Sequence, residues 1–198
     1  MINFPSDLLG EWFDLDQESL SLSKNHKFLN RNNMLKRSWR NLVHVIPNYL
    51  DKISPGSKSF LDMSSGNGAA CELMRYLGYN IMACDWYNCR EYYSTYRPFL
   101  DSQNIPLVEH DCRNLPYPFA DKSYHIITCV GAIGCYTEDV SKFSEILDEF
   151  ARIAIDTIGI SVNRGWKLDE GKDYISQWIH PDFNLTYSNQ HLFRWEKK

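Results

Sequence analysis

The chain has 198 residues, of which 43% are hydrophobic and 23% charged, and a formal net charge of −4. That is the size and composition of one globular domain with a buried core, which excludes a disordered chain. No run of about 18 apolar residues occurs, and the opening MINFPSDLLGEW is acidic where a secretory leader is basic and then apolar, so a membrane-spanning helix and secretion are both unsupported. The expectation is a cytoplasmic protein of one domain, with residues 1–55 forming an N-terminal helical cap and residues 56–198 the core.

Cysteines stand at 71, 84, 89, 112, 129 and 135, with no Cys-x-x-Cys pair and no alternation with histidine. Zinc-finger and thioredoxin-like chemistry are thereby removed, no metal site is expected, and buried free thiols are the simplest reading. Charge is segregated at the start of the chain. Residues 1–23 carry Asp7, Glu11, Asp14, Asp16 and Glu18 and no base, whereas residues 24–50 carry Lys24, Lys27, Arg31, Lys36, Arg37 and Arg40 and no acid. Such a block either attracts an anionic substrate or nucleic acid, or forms the solvated face of a helix.

From residue 35 the apolar positions Leu35, Trp39, Leu42, Ile46 and Leu50 recur at helical spacing, which predicts an amphipathic helix that Pro47 ends or kinks. Ser54-Pro55-Gly56-Ser57 reads as a turn, and Ser59 to Met63 as a short strand entering a glycine-containing loop. Ala70, Leu73, Met74 and Leu77 predict a helix capped by Gly78. Asn80 to Asp85 is apolar on consecutive positions, as strands buried on both faces of a parallel sheet are. A helix over 90–102 is interrupted by Pro98; strands follow over Pro106–His110 and Tyr124–Val130. Val140, Phe143, Leu147, Phe150 and Ala154 mark another helix and Thr157–Val162 a fifth strand. After a helix near 169–179, Phe183–Tyr187 and Leu192–Trp195 flank a turn at Ser188-Asn189-Gln190. The alternation predicts an α/β fold, a doubly wound, mostly parallel sheet of seven strands with an antiparallel C-terminal hairpin at its edge.

In such a sheet the ligand lies beyond the carboxyl ends of the strands, where strand order reverses. The first strand ends in Asp62-Met63-Ser64-Ser65-Gly66-Asn67-Gly68, the second in Asp85-Trp86, the third in Asp111-Cys112 and the fourth in Val130-Gly131-Ala132. Three carboxylates on successive strand ends form a constellation that a lone glycine loop does not.

These residues resemble the class I S-adenosylmethionine-dependent methyltransferases, and within them the broad small-molecule group called type 11. The resemblance spans roughly residues 58–163 and rests on LDMSSGNG and DCRNLPYPFADKSYHII. It implies a Rossmann-like fold and S-adenosyl-L-methionine as cofactor, with S-adenosyl-L-homocysteine as product. It further implies that Asp85 accepts hydrogen bonds from the ribose hydroxyls, that Trp86 packs on the adenine, and that Asp111 receives the adenine amino group. The amide of Cys112 would reach a ring nitrogen, while Asp62 and the turn from Val130 face the methionine end. Gly66 and Gly68 are suited to a tight turn and a close ligand approach, and the helix that follows offers N-terminal amides to a carboxylate. Ser64 stands where the family has its first loop glycine, and His125 where it commonly has aspartate.

Gly66-Asn67-Gly68-Ala69-Ala70-Cys71 also partly imitates a dinucleotide fingerprint, but Cys71 fills its third small position and Asp62 would repel a pyrophosphate. For the acceptor, a small and anionic molecule methylated on O or N suits the limited chain outside the sheet and the basic stretch. No Asn-Pro-Pro-Tyr or Asp-Pro-Pro-Tyr follows the fourth strand, and no Pro-Cys pair occurs, which argues against DNA base methylation. RNA or protein acceptors reached through the basic helix, and a non-catalytic binding protein on the same fold, are the alternatives. No catalytic base emerges. His26, His44, Arg164 and Trp166 lie outside the sheet, and Tyr136, after strand four, is the one candidate for the substrate site.

Overall fold

The structure, a computed structural model, describes residues 31–45, 57–87, 97, 100–101, 103–133, 142–162, 168–189 and 191–198. In chain order its elements are α1 (Arg31–Val45), β1 (Ser59–Met63), α2 (Ala69–Tyr76), β2 (Asn80–Asp85), β3 (Leu107–Glu109), β4 (Tyr124–Val130), α3 (Lys142–Ile153), β5 (Ala154–Ser161), α4 (Leu168–Gln177), β6 (Phe183–Ser188) and β7 (Leu192–Lys197).

The seven strands form one sheet in the order β3-β2-β1-β4-β5-β7-β6. β1, β2, β3, β4 and β5 are mutually parallel, and β7 pairs antiparallel with both β5 and β6. The expected closing hairpin is therefore present, but it folds back. Its second strand lies beside β5 and its first becomes the outer edge, so β7 alone runs against the others. A dinucleotide-binding sheet in the order 3-2-1-4-5-6 has no such inserted strand. Strand order reverses between β1 and β4, and the carboxyl ends of these two strands with that of β2 define one edge of the sheet.

Side chains alternate along the strands, yet both faces are buried, as helices on either side require. Leu61, Met63, Ile127 and Ile158 face the layer of α3 and α4, where Phe143, Phe150, Ile175 and Trp178 complete the core. Phe60, Ala83, Ile126 and Leu192 face the layer of α1 and α2, against Leu35, Trp39, Leu42, Leu73 and Met74. Lys36, Arg37 and Arg40 lie on the opposite, exposed face of α1, so the apolar stripe read from the sequence is the packed one. α2 ends as expected: Gly78 has φ 88°, its amide donates to Arg75 O at 2.8 Å, and Tyr79 N reaches Met74 O at 3.0 Å.

One boundary differs. Ala154, expected in a helix, is the first residue of β5 and pairs with Tyr124. The helix passes directly into the strand, because the amides of Lys122 and Ser123 already bond the carbonyls of Arg152 and Ile153. A fully buried alanine satisfies either pattern, so periodicity could not separate them. Cys71, Cys84, Cys112 and Cys129 are buried and free; Cys89 and Cys135 lie outside the described residues. No helix among the described residues is long and apolar enough to cross a membrane.

Candidate functional site

Beyond β1 the chain turns into α2 through Ser64 to Gly68. Ser64, Gly66 and Gly68 all take left-handed backbone angles, with φ of 59°, 54° and 73°. For Ser64, a residue with a Cβ, this conformation costs roughly 1–2 kcal/mol. It is held because the amides of Ser64 and Ser65 both donate to Cys84 O at the end of β2, at 2.7 and 3.2 Å. The serine at the family's first glycine position thus keeps the left-handed turn.

The two glycines serve different ends. A Cβ on Gly66 would meet nothing within 4 Å, whereas one on Gly68 would lie 2.8 Å from Ile105 Cδ1 and 3.3 Å from Leu100 Cγ. Gly66 faces open space that a ligand can enter. Gly68 packs against the protein's own interior, where a Cβ would crowd Ile105 and Leu100.

Asp85, at the end of β2, is buried, and its carboxylate bridges two loops: Oδ2 accepts from Gly66 N and Oδ1 from Trp86 N, both at 2.7 Å. Burial raises its pKa and these two amides oppose the rise. Tyr87, which the sequence reading passed over, clamps the same loop. Its hydroxyl donates to Gly66 O at 2.8 Å and lies 3.2 Å from Ser65 Oγ.

Asp62, 3% exposed, points toward the α1 and α2 layer and accepts from Thr128 Oγ1 on β4 at 2.7 Å. Burial pushes its pKa up to about 7; the Thr128 hydrogen bond acts against the rise and the nearby charge of Asp85 adds to it. Near neutral pH this carboxyl is therefore poised between its two charge states. A polar threonine within the apolar run of β4 was a signal that the sequence carried and that motif reading did not use.

Asp111 follows β3. Its Oδ1 accepts from Arg113 Nε at 2.8 Å and from Arg113 N at 3.1 Å, and its Oδ2 from Arg113 Nη2 at 2.7 Å. The guanidinium holds this carboxyl below the usual aspartate range. The same guanidinium carbon lies 4.8 Å from the centre of the Trp86 ring, so Trp86, Asp111 and Arg113 form one cluster. Cys112 is buried, and its carbonyl accepts from Tyr117 Oη at 3.0 Å. The turn beyond is fastened to α3: Tyr117 N donates to Glu149 Oε2 at 2.9 Å, and Arg152 donates to the carbonyls of Tyr117 and Phe119. The Leu-Pro-Tyr-Pro-Phe segment thus fixes the Asp111 loop against the body of the fold.

Val130 closes β4 half-buried, and Gly131, with φ 75°, donates its amide to Ser161 O at 2.9 Å. The first amide of α2, on Ala69, is taken by Asn67 Oδ1 at 3.3 Å, so that amide is engaged within the loop itself. Asp62, Ser64, Gly66, Asp85, Trp86, Asp111, Cys112 and Val130 all come from the carboxyl end of the sheet or the loops that leave it. Tyr136, His26, Arg164 and Trp166 lie outside the described residues. His44 is exposed on α1 and stacks on Tyr187 with ring centres 6.1 Å apart. His125 is a β4 residue whose Nδ1 lies 3.1 Å from Ser59 N, at the opposite end of the strands from this site. Among the described residues no group of three or more His, Cys, Asp or Glu side chains is arranged to hold a metal ion.

No family model matches the sequence, and no curated protein matches it. Solved structures do match the fold. A protein of Pyrococcus horikoshii superposes with a TM-score of 0.63 at 15% identity, over 91% of this chain and 99% of its own. A SAM-dependent methyltransferase of Archaeoglobus fulgidus gives 0.58 at 12% identity, over 85% of this chain and 95% of its own. The magnesium protoporphyrin IX methyltransferase of Synechocystis, crystallised with S-adenosylhomocysteine, gives 0.56 at 10% identity, over 96% of both chains. The fold is that of the class I SAM-dependent methyltransferases.

Proposed function

We propose that this protein is an S-adenosylmethionine-dependent methyltransferase that acts on a small, anionic O or N acceptor. The observation that carries the reading is the loop Ser64–Gly68, turned by left-handed residues at the switch point, open above Gly66 and anchored to the acidic end of β2. Two structural neighbours, the SAM-dependent methyltransferase of Archaeoglobus fulgidus and the Synechocystis enzyme crystallised with S-adenosylhomocysteine, support the same cofactor.

The residues present fit that cofactor. Asp85 uses one lone pair on each oxygen for the amides of Gly66 and Trp86, which leaves one on each for a pair of ribose hydroxyls. Asp62 supplies a buried carboxyl close to Asp85, suited to the cationic methionine end once it is ionised. The open side of Gly66 admits the ligand without a Cβ in its path. When bound, the cofactor supplies an activated methyl on a sulfonium. The protein's part is to orient an acceptor in line with that methyl and to keep water out. In this reading the N-terminal helix roofs the acceptor site, the turn from Val130 borders it, and Tyr136 is the candidate for contact with the acceptor.

The exposed Lys36, Arg37 and Arg40 on one face of α1 favour a second reading, in which RNA or an acidic protein is the acceptor. The test is transfer of a labelled methyl group to a panel of carboxylate- and phosphate-bearing small molecules, RNA and protein, at low and high salt. Labelling of a small molecule supports the proposal. Labelling of RNA alone, falling steeply with salt as several phosphate contacts require, would replace it by the second reading.

A further inference from the structure

Resting on the cofactor reading above, we infer that Arg113 is a built-in occupant of the nucleobase seat, which the adenine of the cofactor must displace on binding. Adenine in this seat would make two interactions: a flat stack on Trp86 and an amino-group hydrogen bond to Asp111. The Arg113 guanidinium occupies both positions already, over the Trp86 ring and against the Asp111 carboxylate. It is planar and rich in N–H donors, it lies 4.8 Å over the Trp86 ring, and it engages both oxygens of Asp111 at 2.8 and 2.7 Å. Its backbone amide adds a third bond to the same carboxylate at 3.1 Å.

The three residues differ in their freedom to move. The Arg113 side chain is 51% exposed and the Asp111 side chain 17%, so the guanidinium can swing into solvent while the carboxylate stays at the end of β3. Asp111 is in addition held from behind, because Tyr117 fastens the Cys112 carbonyl and Arg152 fastens Tyr117. An incoming base therefore replaces a cation held over Trp86 and hydrogen-bonded to Asp111, on a platform that stays fixed. The exchange lowers the affinity for every adenosine ligand and makes the seat selective, since a group that cannot both stack and donate to Asp111 does not repay the displacement.

The test is titration calorimetry of S-adenosylhomocysteine with the full chain and with Arg113→Ala and Arg113→Lys, with unfolding curves recorded to verify that each variant is folded. An exposed ion pair and a cation–π contact are both small, so their removal should tighten binding by roughly 5- to 20-fold in Arg113→Ala. Arg113→Lys, which keeps the charge and loses the plane, should fall between. Salt weakens the ion pair, so the ratio between wild type and Arg113→Ala should shrink as salt rises. Without ligand, the Trp86 emission, identified by difference from Trp86→Phe, should change in Arg113→Ala. Equal or weaker binding by Arg113→Ala would overturn the inference while leaving the cofactor reading intact. Absence of binding by all three proteins would remove the cofactor reading and this inference with it.

Discussion

Replacing Asp62 by asparagine tests the electrostatics at the centre of the site. The carboxyl is 3% exposed and rises from 3.8 to about 7 on folding. Folding therefore favours its protonated form, and its contribution to stability is fully present below pH 4 and lost as the pH climbs through about 7. At 1.36 kcal/mol per decade, that window corresponds to ~4 kcal/mol. Asparagine resembles the protonated acid in shape, and its carbonyl can still accept from Thr128 Oγ1. It cannot ionise. Urea unfolding of both proteins at a series of pH values from 4 to 8 should give curves that nearly coincide at the acid end and separate toward pH 8, where Asp62→Asn is the more stable. The distant carboxylates, including the lowered Asp111 and Glu149, titrate in both proteins and cancel in the difference, whereas Asp85 enters only through its coupling to Asp62. A stability difference that stays constant across the range would refute the burial argument for Asp62.

Asp85→Ala should weaken S-adenosylhomocysteine binding by about 1–3 kcal/mol in calorimetry, because it removes charged hydrogen bonds and frees the amide of Gly66. Tyr87→Phe should cost about 1 kcal/mol in unfolding experiments by releasing the Gly66 carbonyl and Ser65. Gly68→Ala should destabilise by more than Gly66→Ala in parallel denaturation curves. Both replace a left-handed glycine at a cost of roughly 1–2 kcal/mol, but only the former drives a Cβ to 2.8 Å from Ile105. Equal losses in the two alanine variants would contradict the division of labour between these glycines.

The sheet was legible in the sequence because its strands are apolar on consecutive positions and its helices keep a strict stripe. Leu35, Trp39 and Leu42 of α1 and Phe143, Leu147 and Phe150 of α3 are buried where the spacing predicts. What periodicity could not give was the order of the last two strands. A hairpin reads the same from sequence whichever of its strands docks on β5, and the pairing of Ile160 with Phe193 and of Ser161 with Leu192 decides it. The strand-end acids were legible because a carboxylate that interrupts an apolar run is conspicuous. Their partners were less so. Thr128, Tyr87 and Arg113 lie 66, 2 and 2 residues from the aspartates they hold or flank, and nothing in local pattern distinguishes an arginine that turns back onto Asp111 and Trp86 from one that points to water. Gly68 was legible as a turn glycine, and its φ of 73° fits that, but only the three-dimensional neighbours reveal that its missing Cβ also makes room for Ile105.

Thermal unfolding with saturating S-adenosylmethionine, S-adenosylhomocysteine or NADH tests the central claim most directly. A ligand at about a hundred times its dissociation constant adds ~2.7 kcal/mol, which in a domain of this size raises the midpoint by roughly 5–10 °C. The account predicts that rise with both sulfur compounds and none with NADH. A rise with NADH alone, or with none of the three, would contradict it.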